Sequence, residues 1–388
     1  MRDAGDRRDR VAALDGLRGL AVVAVLAFHA APEVFRGGFL GVEMFFVLSG
    51  FLLGSLLLAE HARTGRIDMI GYARRRALRI GPGLLVFLAG LAVLAPALAP
   101  DDVHRLPGDI AWSVVGLTNW HLVAEGASYF ERVGRPPFVG HLWSIAIELQ
   151  FYVICPLLLA WLARRRVRTA LAALGAGVAA SAFAMSVHAR PDAYFRTDAR
   201  IGALLTGVAV AIAVTRADRL PDWVRRLAPA GLAALAVALA FGHHGSRLLY
   251  PAGFLAVQAA TGAVLLAVGA GGSAGPALGA RWLRWLGRRS YGIYLWHWPL
   301  VIVMRPGIDV TWPAPVSVVV GVAGAVALGA ASYRFVEGPL ISGRLPWPPR
   351  VAAGAAAACV ALIASVAVHV PAEDPIVASL RAGEQALA

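Results

Sequence analysis

Apolar runs of roughly 17–24 residues recur from one end of this chain to the other, and that repetition limits what it can fold into. A segment of that length crosses a bilayer core as a helix, because lipid offers the backbone no hydrogen-bonding partner. Of 388 residues, 59% are hydrophobic and 15% charged, with a mean hydropathy of +0.67. No stretch between the runs is long enough to build a soluble core. The expected fold is an all-α polytopic membrane protein with about 10–11 transmembrane helices. The spans fall at about 11–31, 38–59, 78–99, 141–163, 167–187, 199–215, 227–242, 249–271, 290–305, 314–333 and 351–370. A further stretch at 109–122, "DIAWSVVGLTNWHL", is short and polar. One domain is expected over residues 1–370, followed by a short C-terminal tail at 371–388.

Charge decides the orientation. The net charge is +13, and all 36 basic residues are Arg. Placing the N-terminus in the cytoplasm puts 25 Arg in internal segments and 9 in external ones, with Arg18 and Arg200 inside spans. That bias obeys the positive-inside rule only if 100–140 stays outside at both ends, so 109–122 is expected to be re-entrant. Basic residues confined to short loops argue against a nucleic-acid partner. The expected location is a bacterial-type cytoplasmic membrane. Cys155 and Cys359 lie far apart in apolar runs, and no disulfide is expected. The first apolar run contains Asp15 and Arg18 and has no small-x-small cleavage site, so it is read as a retained helix rather than a signal peptide.

Polar residues inside the spans carry the functional information, since charge at membrane depth is costly and calls for a partner or a role. Arg18 and His29 are eleven positions apart, hence on one helix face and about 16 Å apart along its axis. Asp15, one turn before Arg18, is placed to pair with it. Either the two basic residues snorkel to opposite interfaces, or they line a path through the bilayer. Glu43 opens the second span at a depth expected to match His29. It is either a structural ion-pair partner or the carboxylate that orients the imidazole. Ser49 lacks the frame of a nucleophile elbow, because Val47 stands where glycine is needed. Helix packing or capping is its expected role.

The loop read before the third span carries Arg74, Arg75, Arg76 and Arg79, and Gly81-Pro82-Gly83 follows as a bend. Arg76 and Arg79 are spaced to fork onto phosphate oxygens, or simply to anchor the inner end. His141 and Glu148, seven apart, are expected on one face of the fourth span, with Arg200 a candidate partner for Glu148. His297 stands among Tyr291, Tyr294, Trp296 and Trp298, as an interfacial aromatic belt or as a pocket wall. No zinc-ligand spacing and no glycine-rich phosphate loop occur, so no metal is expected.

Seven segments in order carry a resemblance. They are "LDGLRGLAVVAVLAFH", "GGFLGVEMFFVLSGFLL", "RRRALRIGP", "HLWSIAIELQFYVICPLLL", "TDARIGALLTG", "GRRSYGIYLWHWPL" and "SYRFVEGPL". Together they resemble the acyltransferase-3 family of integral membrane O-acyltransferases over residues from about 14 to 340. The resemblance implies transfer of an acyl group, often acetyl, from acyl-CoA to a hydroxyl of a sugar, a cell-envelope glycan or a glycosylated natural product such as a macrolide. It implies His29, Glu43 and Glu148 as catalytic residues, with His29 the base and a glutamate orienting it or binding the sugar. It implies Arg18, Arg76 and Arg79 in contact with the donor, the last two on CoA phosphates. His141, Trp143, Arg200, Tyr294 and His297 are the expected acceptor-binding residues. Where the family commonly has Asp in the second span, this chain has the longer Glu43. The extracytoplasmic hydrolase-like domain of some members is not expected here. A secondary transporter or flippase would also explain intramembrane charge, but it predicts inverted repeats, and none is visible.

Overall fold

A computed structural model describes residues 2–100, 103, 105–130, 135–188, 190–217 and 220–342, with Ala357 and Ala361 beyond them. The expected span at 351–370 (those two residues apart), the tail at 371–388 and Cys359 lie outside the described residues. The described chain is helical throughout, and its one β feature is an isolated bridge between Pro306 and Val310. Nine of its helical segments are long and apolar enough to cross a membrane.

In chain order the longer helices are α1 (Arg2–Ala30), α2 (Gly41–Thr64) and α3 (Met69–Leu98). Two short ones follow, α4 (Leu106–Val114) and α5 (Thr118–Ala124). Then come α6 (Trp143–Ala163), α7 (Val167–Val187), the short α8 (Arg190–Phe195) and α9 (Thr197–Arg216). The last are α10 (Leu227–Phe241), α11 (Ala252–Gly269), the short α12 (Gly275–Gly279), α13 (Arg281–Ile302), α14 (Ala314–Ser332) and α15 (Gly338–Ile341).

The chain forms two compact units. The first comprises Met1–Ala73, Leu122–Phe130 and Trp143–Tyr291, and the second Arg74–His121, Glu131–Leu142 and Gly292–Ala388. In the first, α2 and α9 form the central pair, with α7 against α9, α11 against both, and α1 and α6 against α2. The pair is close because glycines stand at its points of closest approach. A Cβ added to Gly50 would lie 2.0 Å from the Leu204 carbonyl oxygen, and one on Gly207 would lie 2.1 Å from that of Val47. Small residues let helix backbones meet in lipid, where no hydrophobic effect draws helices together. Burial follows the layering: 67% of the apolar window of α2 is buried, but 22% of that of α7. The outer faces are apolar too, as Val153, Leu157 and Trp161 on α6 show. A lipid-facing surface requires this.

In the second unit α14 packs on α13, and Gly329 lets its backbone approach Ile293. Arg135 binds the Ile302 carbonyl and Asp309, and Arg305 also holds Asp309 at 2.7 Å, closing the 303–313 connection. Burial pushes the Asp309 carboxyl up, but hydrogen bonds from Arg305 and Arg135 together outweigh it and hold the group at about 2.

Several expectations change. The third helix starts at Met69, so Arg74, Arg75, Arg76 and Arg79 lie on its opening turns rather than in a loop, and the helix runs on through Pro82. The segment at 290–305 belongs to α13, which starts at Arg281 and is not among the nine apolar helices. The 109–122 stretch is broken into α4 and α5 at Gly116, where φ is +72°. At 1.5 Å per residue these helices are about 14 and 10 Å long, too short to span.

Candidate active site

The connection from α1 to α2 sets the depth of everything that follows. Residues 31–40 fold back over the end of α1 and finish in a 3₁₀ turn, Gly38–Leu40. A Cβ on Gly38 would meet the Ala24 carbonyl oxygen at 2.2 Å, and one on Gly41 would meet that of Ala21 at 2.4 Å. The antiparallel register therefore places Gly41 beside Ala21–Val25. By helical rise, Glu43 lies about 12 Å below His29 along the axis, and Ser49 about 21 Å below it. The expectation of equal depth for His29 and Glu43 fails, because residues 31–40 fold back along α1 and carry the start of α2 below its end.

At the top of this ladder, His29 Nδ1 is 3.0 Å from the Val25 carbonyl oxygen and Nε2 is 2.8 Å from the Tyr129 hydroxyl. A carbonyl only accepts, so Nδ1 carries the proton. Nε2 then presents a lone pair, to which the Tyr129 hydroxyl donates. Tyr129 stacks on Tyr194 with centroids 4.7 Å apart, and Tyr194 lies 4.7 Å from Trp143.

One layer down sits the Arg200–Glu43 pair. The Nη2 to Oε2 distance is 2.8 Å, and neither side chain is exposed. Gln258 Nε2 donates to the other Glu43 oxygen at 2.7 Å, and Thr206 Oγ1 donates to Gln258 Oε1 at 3.2 Å. Four rings enclose the guanidinium, with its carbon 4.3 Å from the centroid of Phe254, 5.0 Å from Tyr194, 5.5 Å from Trp143 and 5.8 Å from Phe46. Its Nε and Nη1, like Trp143 Nε1, have no hydrogen-bond acceptor among the described residues. The π faces take their place.

Deeper still, Glu148 Oε1 accepts from Ser49 Oγ at 2.5 Å and from Tyr152 OH at 2.6 Å. Glu148 Oε2 has no partner among the described residues. By the same register Arg18 lies within about 5 Å of the level of Ser49.

Three expected relationships are therefore wrong. Neither glutamate touches His29: Glu43 binds Arg200 and Gln258, while Glu148 binds Ser49 and Tyr152. Arg200 is the partner of Glu43, not of Glu148. His141 and Glu148 do not share a helix face either, since 140–142 is a 3₁₀ turn and α6 begins at Trp143. His141 instead belongs to the second unit, with Tyr294 and His297. Its ring lies 5.5 Å from each of theirs, the Tyr294 hydroxyl donates to its carbonyl at 3.0 Å, and His297 Nδ1 donates to the Tyr294 carbonyl at 2.6 Å. His141 and His297 are buried among Phe87, Trp298 and Tyr294 rather than exposed at a lipid interface. Arg76 and Arg79 are half-buried, whereas Arg74 and Arg75 are exposed.

Tyr129, Tyr194, Gln258, Phe254 and Tyr152 were not among the expected residues. Gln258 had a readable signal, as an amide inside the apolar run of α11. Tyr129 lies on an aperiodic connection, and only folding reveals it.

These features define a polytopic helical membrane protein whose interior holds ionisable groups in layers. Residues 11–334 match the Acyltransferase domain family, Acyl_transf_3, and the chain belongs to that family. It is 34% identical to YrhL of Bacillus subtilis over 345 residues, 84% of this chain and 54% of that protein. It is 32% identical to the peptidoglycan O-acetyltransferase OatA of Listeria monocytogenes over 86% of this chain and 56% of that protein. It is 30% identical to the O-acetyltransferase OatA of Staphylococcus aureus over 84% of this chain and 56% of that protein. The chain thus spans about half the length of the curated relatives it matches. No solved structure matches it.

Proposed function

We propose that this chain is a membrane O-acyltransferase, moving an acetyl or other short acyl group from acyl-CoA to a hydroxyl of a cell-envelope glycan. The family and its O-acetyltransferase relatives support the reaction class, and the name of the Listeria relative favours a peptidoglycan sugar as acceptor. The observation that carries the chemistry is the lone pair of His29 Nε2, already engaged by a hydroxyl at 2.8 Å. An acceptor hydroxyl in that position loses its proton to Nε2 as its oxygen attacks the thioester carbonyl. The C–S bond breaks, the imidazolium returns the proton to the CoA sulfur, and the ester leaves. Transfer is direct, from thioester to sugar. Proximity and charge stabilisation supply most of the rate, since a thioester is already activated.

In this reading the N-terminus is cytoplasmic, in a bacterial-type inner membrane. Arg76 and Arg79 take the CoA phosphates, and Arg18 lines the route of the donor. Arg200 and Glu43 fix the floor of the acceptor chamber. Protein purified in detergent, given acetyl-CoA and peptidoglycan fragments, should release CoA only with acceptor present and add one acetyl mass. Release of CoA without an acylated product overturns the proposal.

A further inference from the structure

The Glu148 cluster suits donor recognition better than catalysis. We propose that Ser49 and Tyr152 are positioning residues that fix the Glu148 carboxylate, so that its second oxygen accepts a hydrogen bond from an amide N–H of the donor's pantetheine arm. The inference rests on the acyl-CoA reading given above.

Three observations carry it. First, Glu148 lies at the level of Ser49, about 21 Å along the axis from His29, too far to serve the base. Second, two hydroxyls from α2 and α6 converge on Oε1, at 2.5 and 2.6 Å, while Oε2 has no partner among the described residues. A carboxylate pinned by one oxygen offers the other as an oriented acceptor. Third, Arg18, the residue read as lining the donor's route, lies within about 5 Å of the same level, so the arm must cross the depth at which Glu148 sits. The pantetheine arm is the part of acyl-CoA that spans such a distance. It carries no charge, and its amide N–H groups seek acceptors.

Binding separates this idea from the reading beneath it. CoA and its headgroup fragment, adenosine 3′,5′-bisphosphate, would be titrated calorimetrically into detergent-solubilised wild type, Ser49→Ala, Tyr152→Phe and Glu148→Gln. Unchanged melting temperatures would establish that each variant is folded. The expected result is roughly tenfold weaker CoA binding in each variant, with headgroup binding unchanged, as loss of one charge-assisted hydrogen bond requires. Equal CoA affinity in wild type and all folded variants overturns the inference, and so does equal weakening of both ligands. If wild type binds neither ligand, the acyl-CoA reading itself falls.

Discussion

Arg200 and Glu43 meet at 2.8 Å with no exposure of either side chain, and four aromatic rings close around the guanidinium. Two charges so far from water hold each other in place, and neither can lose its partner cheaply.

Arg200→Met should therefore destabilise the folded protein by about 3–5 kcal/mol, because it strands the Glu43 carboxylate. Arg200→Met combined with Glu43→Leu should cost less than the sum of the two single changes. Thermal melts of the four proteins in one detergent give the coupling. Additive costs would show that the pair does not act as a unit.

His29→Ala should abolish acyl transfer and leave the melting temperature within a few degrees of wild type. The ring is half-buried at the end of α1, and its loss removes Nε2 rather than a core side chain. Transfer at the wild-type rate by the folded variant would remove His29 from the mechanism.

Gly50→Ala and Gly207→Ala should each cost about 1–3 kcal/mol, since the new methyl meets a carbonyl oxygen near 2 Å. Gly81→Ala is the control. It too lies within a helix, but nothing stands within 4 Å of its added Cβ, and it should be neutral or slightly stabilising. Equal melting temperatures for all three variants would contradict a backbone-to-backbone seam.

Asp309 gives a pH dependence. Its carboxyl is held at about 2, below the ordinary 3.8, by Arg305 and Arg135 against the effect of burial. A depressed acid contributes its full stability above the unfolded value and loses it as the pH falls towards the folded one. The melting temperature should thus drop between about pH 4 and pH 2, and Asp309→Asn should flatten that drop. Identical profiles for wild type and variant would show that the clasp adds nothing.

The spans were legible because lipid imposes them: length and hydropathy mark a crossing whatever its neighbours are. The polar residues of the candidate site stand out one by one for the same reason, as Arg18, His29, Glu43, Glu148 and Arg200 are costly in lipid without a partner or a role. Their pairing does not. It depends on how far residues 31–40 fold back along α1, and nothing periodic records that. A slip of two turns moved Glu43 away from His29 and towards Arg200. Likewise, the 3₁₀ turn at 140–142 separates His141 from the face of Glu148, and helical spacing does not reveal it.

The bare contact line between α2 and α9 has a mechanical consequence. Two rods that touch main chain to main chain leave no room for a guest and little freedom to slide. Any movement that opens the interior must swing around this spine rather than split it, and α7, largely exposed and packed on α9 alone of the two, is the neighbour best placed to move.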